Sequence, residues 1–292
     1  MNKLITIKDL CIAFDKNKEV VKNVNIEIVK GKTTAIVGES GSGKTLSALS
    51  ILKLLPSSAK IKKGEIIYNN KNILNLPNIE IQKLRGNKIS TIFQEPMSSL
   101  NPLHTINKQI SEIILTHKKI NKKDAYRKTL SLLHEVGLED IVNRPKVYPY
   151  ELSGGQRQRA MIAMSIANSP ELLIADEPTT ALDVTVQLQI LDLLKQLQDK
   201  LEMSMLFISH DLSVVKKMAD YVYVMKEGIV IENGTKDKIF NEPQNDYTKK
   251  LILSHSKIKI KSKLNKKEVL SIKNLNVWYP IKKGLFKKTV DY

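Results

Sequence analysis

Residues 33–45 read Thr33-Thr34-Ala35-Ile36-Val37-Gly38-Glu39-Ser40-Gly41-Ser42-Gly43-Lys44-Thr45. The first five residues form a short apolar run, which predicts a buried strand, and residues 46–55 carry apolar side chains at helical spacing. Between these segments lies a glycine-rich loop with the spacing Gly-x-x-x-x-Gly-Lys-Thr. Strand, loop and helix in this order predict a P-loop that binds the phosphates of a nucleotide.

The chemistry of this loop assigns roles to its residues. Its glycines allow backbone N–H groups to turn toward the phosphates, and the N-terminus of the following helix adds partial positive charge. We expect Lys44 to reach the β- and γ-phosphates and the Thr45 hydroxyl to bind Mg²⁺. A glycine-rich turn that binds no nucleotide is the weaker alternative, because both context and spacing match the motif.

Two adjacent carboxylates, Asp176 and Glu177, follow the apolar residues 172–175. A buried strand would present both at its carboxyl end, which is where ligands bind in open α/β sheets. We expect Asp176 to bind Mg²⁺ and Glu177 to accept a proton from the attacking water. Alone, such a pair indicates a turn or a helix cap more often than a site, and it is the P-loop in the same chain that favours the site.

A second glycine-rich helix start occurs at Leu152-Ser153-Gly154-Gly155-Gln156. A serine hydroxyl, glycine N–H groups and a helix N-terminus together form a second group that can bind phosphate. A chain with one P-loop and one such group suggests a dimer in which each ATP is held by both.

The segments around these motifs alternate between strand and helix, which predicts a mostly parallel sheet with helices on its faces. Residues 4–14 alternate apolar and polar side chains and predict an antiparallel strand. Further along the chain, the patterns predict a hairpin over residues 61–76 with Gly64 and Asn69-Asn70 at its turns, a helical insertion over about 95–150 and a helix over residues 154–169.

Together these motifs resemble the ATP-binding subunit of ABC transporters over residues 4 to about 253. The resemblance implies an α/β fold, namely an ABC-type P-loop NTPase domain with a mostly parallel core sheet, an antiparallel β subdomain and a helical insertion. It also implies an ATPase whose cofactors are ATP and Mg²⁺.

The resemblance assigns roles to further residues. Phe14 matches the aromatic residue that stacks on adenine, Gln94 the glutamine that touches Mg²⁺ and water, Asp183 the loop that communicates across the dimer and His210 the histidine that contacts the γ-phosphate. The implied catalytic residues are Glu177, His210 and Gln94, and the implied metal ligands are Thr45, Gln94 and Asp176. The implied nucleotide contacts are Phe14, Gly38, Glu39, Ser40, Gly41, Ser42, Gly43, Lys44, Thr45, Ser153, Gly154, Gly155, Gln156 and Asp183.

Two segments, residues 93–102 and 175–187, closely resemble the ATPases of oligopeptide, dipeptide and nickel importers. Residues 246–249 resemble the Pro-Tyr-Thr segment of that group, with Asp246 in place of proline, and Tyr150 stands where the group often has histidine. The resemblance therefore implies an ATPase that energises import of peptides or a related solute such as nickel. Neither difference lies at a predicted catalytic residue, and both leave the identity of the transported solute open.

An internal repeat aligns residues 4–14 with residues 269–279 without gaps. We interpret residues 1–253 as an ABC ATPase domain and residues 254–267 as a lysine-rich linker. Residues 268–292 then form the truncated start of a second ABC ATPase domain, with Tyr279 as its adenine-stacking aromatic, in a fused two-ATPase protein or a frameshifted product. A lysine-rich tail that matches by chance is the alternative.

The net charge of +17 arises mostly from lysine, since the chain has only five arginines. Arginine is the residue that most often contacts bases and phosphates in complexes with nucleic acids, so we expect no nucleic acid partner. Cys11, the single cysteine, excludes a disulfide within the chain. No apolar stretch reaches the roughly 18 residues of a membrane-spanning helix.

The implied partners are a second ABC ATPase domain, two transmembrane permease subunits and an extracytoplasmic solute-binding protein. The resemblance places the chain peripherally on the cytoplasmic face of the cell membrane, with a groove near Gln94 and the helical insertion for a transmembrane subunit. One alternative is a soluble tandem ABC ATPase that acts on the ribosome. A DNA-repair ATPase is the other; such proteins place coiled coils or zinc modules between P-loop and signature, where this chain has only 106 residues between Thr45 and Leu152.

Overall fold

The chain divides into two units. The first, Met1–Lys257, contains two β-sheets that differ in strand direction. The computed structural model describes residues 2–14, 18–144, 146–180, 182–256, 270–278, 281–283 and 288–291. In chain order, the strands of this unit are β1 (Lys3–Phe14), β2 (Lys18–Val29), β3 (Thr33–Val37), β4 (Ala59–Tyr68), β5 (Lys71–Asn72), β6 (Ile89–Ile92), β7 (Leu172–Asp176), β8 (Ser204–Ser209), β9 (Tyr221–Lys226) and β10 (Ile229–Thr235).

Its helices lie between and after these strands. They are α1 (Lys44–Ser50), α2 (Asn78–Leu84), α3 (Pro96–Ser99), α4 (Ile106–His117), α5 (Lys122–Glu135), α6 (Glu139–Val142), α7 (Gly154–Ile166), α8 (Val184–Leu201), α9 (Leu212–Met218), α10 (Lys236–Asn241) and α11 (Asp246–Ser256), with short 3-10 helices at Ile73–Asn75 and Pro149–Glu151. Among the described residues, no helix is both long and apolar enough to cross a membrane.

The core sheet has six strands in the order β10-β9-β3-β8-β7-β6. All of them run parallel except β10, which forms an antiparallel hairpin with β9. Every residue of β3, β7 and β8 is buried, as expected where a parallel sheet is covered on both faces. The predicted mostly parallel α/β core is confirmed, and the carboxyl ends of β3, β8 and β7 are neighbours.

The antiparallel β subdomain consists of β2, β1, β4 and β5 in that order. The alternation predicted for β1 is present only in its first half, where Ile5 and Ile7 are buried and Thr6 between them is partly exposed. At Asp9 the strand has a bulge with a left-handed φ of 45°. Beyond this bulge Leu10, Cys11, Ile12 and Ala13 are all buried, so the second half of the strand does not alternate.

The prediction that Gly64 lies at a turn is wrong. Gly64 lies within β4, at φ 117°, where an added Cβ would be 2.7 Å from the Cα of Leu10. The glycine is therefore needed for the close approach of β1. The turn between β4 and β5 is at Asn69-Asn70, as predicted, and both residues have positive φ.

The helical insertion of the predicted fold consists of α3 to α6. In α4 the side chains of Ile106, Ile110 and Ile114 are buried in the core at helical spacing. Two other helices are shorter than predicted: α1 ends at Ser50 rather than residue 55, and α7 at Ile166 rather than residue 169.

The second unit, Ile258–Tyr292, contains a short antiparallel pair, β11 (Ile281–Lys283) and β12 (Lys288–Asp291). Residues 270–278 expose an apolar series in which Ile272 and Trp278 are 61% and 69% exposed. The proposed aromatic Tyr279 and nearly all of the proposed linker, residues 257–267, lie outside the described residues.

Candidate functional site

The predicted P-loop follows β3 at the edge of the core sheet where β7 and β8 also end. A cavity of about 920 Å³ opens at this edge. It is lined by Phe14, Lys18, Val20, Gly38, Glu39, Ser40, Gly41, Gly43, Lys44, Thr45, Leu46, Gln94, Glu177, Thr180, His210 and Leu251. The structure thus brings together residues from the antiparallel subdomain, the P-loop and the segments that follow three core strands, β6, β7 and β8, where the sequence predicts a nucleotide-binding site.

The backbone of the P-loop depends on glycine at two positions. Gly38 has φ 151°, and an added Cβ would lie 2.1 Å from the carbonyl oxygen of Met225. Gly43 precedes α1 with φ 95°, and its added Cβ would lie 2.9 Å from the carbonyl oxygen of Val20. These contacts leave no room for a side chain, so the loop stays close to β9 and β2.

Lys44 is buried at the base of the cavity. Its Nζ donates hydrogen bonds to the carbonyl oxygens of Gly38 at 2.8 Å and Glu39 at 2.7 Å. Burial lowers the pKa of this ammonium, although the carboxylates of Glu177 and Asp176 oppose the shift. Ser42 Oγ, also buried in the loop, has no hydrogen-bond partner among the described residues. A cation and a hydroxyl placed in this way fit an anionic ligand such as a phosphate.

Asp176 ends β7 directly beside the P-loop helix. Its Oδ1 accepts a hydrogen bond from Thr45 Oγ1 at 3.1 Å. Burial raises the pKa of Asp176 to about 6, and the charge of Glu177 adds to the rise. A hydroxyl and a carboxylate are the oxygen ligands that Mg²⁺ prefers, and a bound cation would offset the cost of burying this charge. The two residues therefore fit the metal that the sequence predicts.

Glu177 lies at the centre of the predicted catalytic residues. Gln94 Nε2 donates to Glu177 Oε2 at 3.2 Å, and His210 Nδ1 lies 3.1 Å from Oε1. Thr180 Oγ1 also donates to Oε2, at 3.0 Å. Glu177 has φ 47°, a strained value for a residue with a side chain, and its N–H donates to Ile208 of β8.

Thr180 is one of the site residues that the sequence reasoning missed. It stands three residues after Glu177, in the turn that ends β7, and this spacing was the available signal. Lys18, Val20, Leu46 and Leu251 also line the cavity without having been predicted. Leu46 directly follows Thr45 in α1, whereas Lys18, Val20 and Leu251 come from elements distant from the P-loop in sequence, so no local pattern marks those three.

The second glycine-rich motif lies elsewhere, outside the lining of the cavity. Ser153 caps α7: its Oγ accepts from Gln156 N at 3.3 Å, while Gln156 Oε1 accepts from Ser153 N at 3.0 Å. Asp183 caps α8 in the same manner, its Oδ1 accepting from Val186 N at 3.0 Å.

These two caps pack together. An added Cβ on Gly155 would lie 2.8 Å from Val186 Cγ1, and one on Gly154 would lie 3.8 Å from the Leu182 side chain. Within this chain, the structure therefore does not bring Ser153, Gly154, Gly155, Gln156 or Asp183 to the P-loop cavity. They form an exposed group of their own, with Ser153 and Asp183 exposed to solvent.

Known proteins resemble this chain closely in sequence. The model of the ABC transporter family matches residues 21–180. The peptidoglycan transport ATP-binding protein YejF of Agrobacterium fabrum is 49% identical over 294 residues, which cover 99% of this chain and 54% of that protein. The oligopeptide transport ATP-binding protein OppD of Bacillus subtilis is 46% identical over 258 residues, which cover 87% of this chain and 72% of that protein. The chain thus spans about half the length of YejF.

Solved structures resemble it as well. The ATP-binding cassette MJ0796, in a dimer bound to ADP and Pi after hydrolysis, has a TM-score of 0.70 at 28% identity and covers 80% of this chain and 98% of its own. CbiO1 from Clostridium perfringens, part of the ABC transporter complex CbiONQ, has a TM-score of 0.72 at 27% identity. The match covers 83% of this chain and 92% of the CbiO1 chain. The family match, the relatives and the fold agree with the predicted resemblance, and the chain belongs to the ABC transporter family of ATP-binding proteins.

Proposed function

We propose that this chain binds and hydrolyses ATP to energise import of peptides, or of a related small solute such as nickel, through an ABC transporter. The observation that carries the proposal is the cluster around Glu177, where Gln94, Thr180 and His210 surround one carboxylate at the mouth of the P-loop cavity. The names of the relatives supply the transport function, since they refer to peptidoglycan, oligopeptide and dipeptide transport.

The geometry supports a separate role for each of these residues in ATP hydrolysis. The N–H groups at the start of α1 and the Lys44 ammonium bind the phosphates, and Lys44 leaves its two carbonyl partners to do so. Thr45 and Asp176 would hold Mg²⁺, which when bound neutralises charge on the phosphates. Glu177 accepts a proton from the attacking water. Gln94 and Thr180 donate to its Oε2 and His210 Nδ1 lies beside its Oε1, so these three residues hold the carboxylate in place at the cavity.

A second ATPase domain would complete the site. Ser153 and Asp183 are exposed and lie outside the cavity of their own chain, as expected for groups that act on the ATP of a companion domain. The similar cassette MJ0796 was solved as a dimer. We infer that residues 153–156 and Asp183 contact the nucleotide and the loop of this partner.

The domain proposal assigns residues 1–253 to one ABC ATPase domain, residues 254–267 to a linker and residues 268–292 to the start of a second. The YejF alignment supports it, because it extends over 99% of this chain into a longer protein. The backbone supports it too: Asp9 and Asn274 occupy the same position in the repeat, and both have left-handed φ values, 45° and 56°. Ile7 is buried in the first copy, whereas its counterpart Ile272 is exposed.

The proposed transmembrane partners are two permeases, joined by an extracytoplasmic solute-binding protein, with this chain peripheral on the cytoplasmic face of the membrane. A groove of about 530 Å³ between the core and the helical insertion supports docking of a permease. Its lining includes Arg85, Phe93, Gln109, Ile113 and Met161. A permease segment bound in this groove would contact Phe93. Phe93 directly precedes Gln94, which donates a hydrogen bond to Glu177.

Two measurements test the proposal. Purified protein should hydrolyse ATP in a Mg²⁺-dependent manner, and a tagged chain purified from gently solubilised cells should bring two permeases and a solute-binding protein, whose ligand names the solute. Ribosomal proteins without permeases would favour the ribosomal alternative, which the names of the relatives do not support. Absence of ATP binding would overturn the proposal altogether.

A further inference from the structure

The segment Asp246-Tyr247-Thr248-Lys249 has no role in the function proposed so far. It forms the first turn of α11 and lies beyond residues 21–180, which the family model matches. In the structure this turn reaches the P-loop. Leu251, one turn later, lines the nucleotide cavity.

Tyr247 contacts a P-loop residue 208 positions away. Its hydroxyl oxygen accepts a hydrogen bond from the backbone N–H of Glu39 at 3.3 Å. Burial raises the pKa of the Tyr247 hydroxyl, and the Glu39 carboxylate, by its charge and a hydrogen bond, raises it further. The phenol therefore keeps its proton at neutral pH and can donate it to Glu39 while it accepts from the Glu39 N–H.

Glu39 in turn contacts the phosphate-binding lysine. Its carbonyl oxygen accepts a hydrogen bond from Lys44 Nζ at 2.7 Å. On the other side, Gly38 is pressed against the Met225 carbonyl at the end of β9. Tyr247, Glu39 and Lys44 thus form a chain of hydrogen bonds from α11 to the ammonium that would bind the phosphates.

Tyr247 is itself held from two directions. Lys226 Nζ lies 5.1 Å from the centre of the Tyr247 ring, and the backbone N–H of Tyr247 donates to Asn245 Oδ1 at 2.9 Å. The Glu232 carboxylate accepts from the N–H groups of Gln244 and Asn245 at 2.7 and 3.1 Å. The start of α11 is therefore fixed to the β9–β10 hairpin, and a fixed phenol can restrict the loop that it contacts.

We propose that Tyr247 is a positioning residue of the ATP site, which orders the Gly38–Glu39 arm of the P-loop before the nucleotide binds. The inference rests on the proposed binding of ATP. A loop that is already ordered loses less conformational freedom on binding, so it binds more tightly. A single hydrogen bond of ordinary strength corresponds to an affinity change of about 3- to 10-fold.

The test compares the full chain with the Tyr247→Phe variant, which keeps the ring beneath Lys226 and removes only the hydroxyl. Calorimetry gives Kd for ATP, steady-state hydrolysis gives KM and kcat, and thermal unfolding without nucleotide reports the fold. We expect Kd and KM to rise by about 3- to 10-fold, kcat to stay within about twofold and the unfolding midpoint to stay unchanged. Tyr126→Phe, which removes a hydroxyl from an exposed tyrosine of α5, is the matched control and should change none of these values.

The outcomes separate this inference from the proposed function. If the unmodified chain fails to bind ATP, the proposed function fails, and the positioning role fails with it. If it binds ATP and Tyr247→Phe binds equally well within twofold, the positioning role alone is overturned. A lower unfolding midpoint together with a lower kcat would make Tyr247 a structural residue and would overturn the inference as well.

Discussion

Thr45 and Asp176 are joined by a hydrogen bond of 3.1 Å that connects the first turn of α1 with the last residue of β7. The two residues are 131 positions apart, so the contact depends on the pairing of β3 with β8 and of β8 with β7. It places a buried carboxylate beside the P-loop. The ionised form of that carboxylate is therefore costly, and its cost can be measured.

Asp176→Asn should stabilise the nucleotide-free protein near neutral pH. The pKa of Asp176 rises from 3.8 to about 6 on folding, so the folded state binds more protons than the unfolded state between these values. Stability falls as pH rises through this range, by about 1–3 kcal/mol, and the asparagine variant lacks this loss. Urea unfolding without Mg²⁺ should show the variant more stable at pH 7.5 and nearly equal to the unmodified chain below pH ~4.

Asp199→Asn on the exposed face of α8 is the control, and its stability should follow the unmodified chain at every pH. Equal stability of Asp176→Asn and the unmodified chain from pH 4 to 8 would contradict the raised pKa.

Glu177→Gln should bind ATP and fail to hydrolyse it at a normal rate. The amide keeps the size of the side chain but cannot accept a proton from water, and general base catalysis typically contributes at least about 100-fold. Single-turnover release of phosphate measures the rate, and calorimetry measures the binding. Glu65→Gln, an exposed residue of β4, is the control. Turnover near the normal rate in Glu177→Gln would remove Glu177 from the role of base.

Lys44→Ala should lose affinity for ATP. The Lys44 ammonium is buried and would exchange two carbonyl partners for phosphate oxygens, and a hydrogen bond to a charged group is worth about 1.5–3 kcal/mol, or roughly 10- to 100-fold in Kd. Titration calorimetry checks the value, with Lys63→Ala on β4 as the exposed control. An unchanged Kd for ATP would show that Lys44 does not bind the phosphates.

Gly155→Ala should destabilise the contact between α7 and α8. The new methyl group would meet Val186 Cγ1 at 2.8 Å, and an overpacked contact of this kind costs about 1–3 kcal/mol. Val186→Ala should relieve the clash, so the double variant should be more stable than Gly155→Ala alone. Denaturant unfolding of the four proteins of this cycle gives the coupling energy, and strictly additive effects would mean that the two side chains do not meet.

Local patterns were enough to predict the parts of the site that lie within one turn or loop. The P-loop, the acidic pair at the end of β7 and the glycine-rich helix start at Ser153 are each contiguous in sequence, and the structure has the predicted local elements there: a strand and a helix around the P-loop, a strand that ends at Asp176 and a helix that begins after Ser153. The family resemblance then placed Gln94 and His210, which the structure brings within 3.2 Å of Glu177. No pattern in the residues around His210 would have done so.

Contacts between distant segments explain what was missed. A glycine such as Gly64 locally indicates a turn. Its close contact is with Leu10, which is far away in sequence, so only the pairing of β1 with β4 shows why glycine is needed there. The sequence patterns do not predict helix α11, and they single out Tyr247 only through the resemblance of residues 246–249 to the Pro-Tyr-Thr segment. Its contact with Glu39 requires the β9–β10 hairpin to be in place, which no local periodicity encodes.

The left-handed backbone of Glu177 has a consequence for how this protein tolerates change. Glycine would adopt φ 47° with little strain, so replacing Glu177 with glycine should relieve backbone strain even as it removes the proton acceptor. At this position, the residue that best suits the backbone is not the one that the proposed hydrolysis requires. Screening variants for thermal stability alone would therefore favour a protein that folds well and has lost its activity.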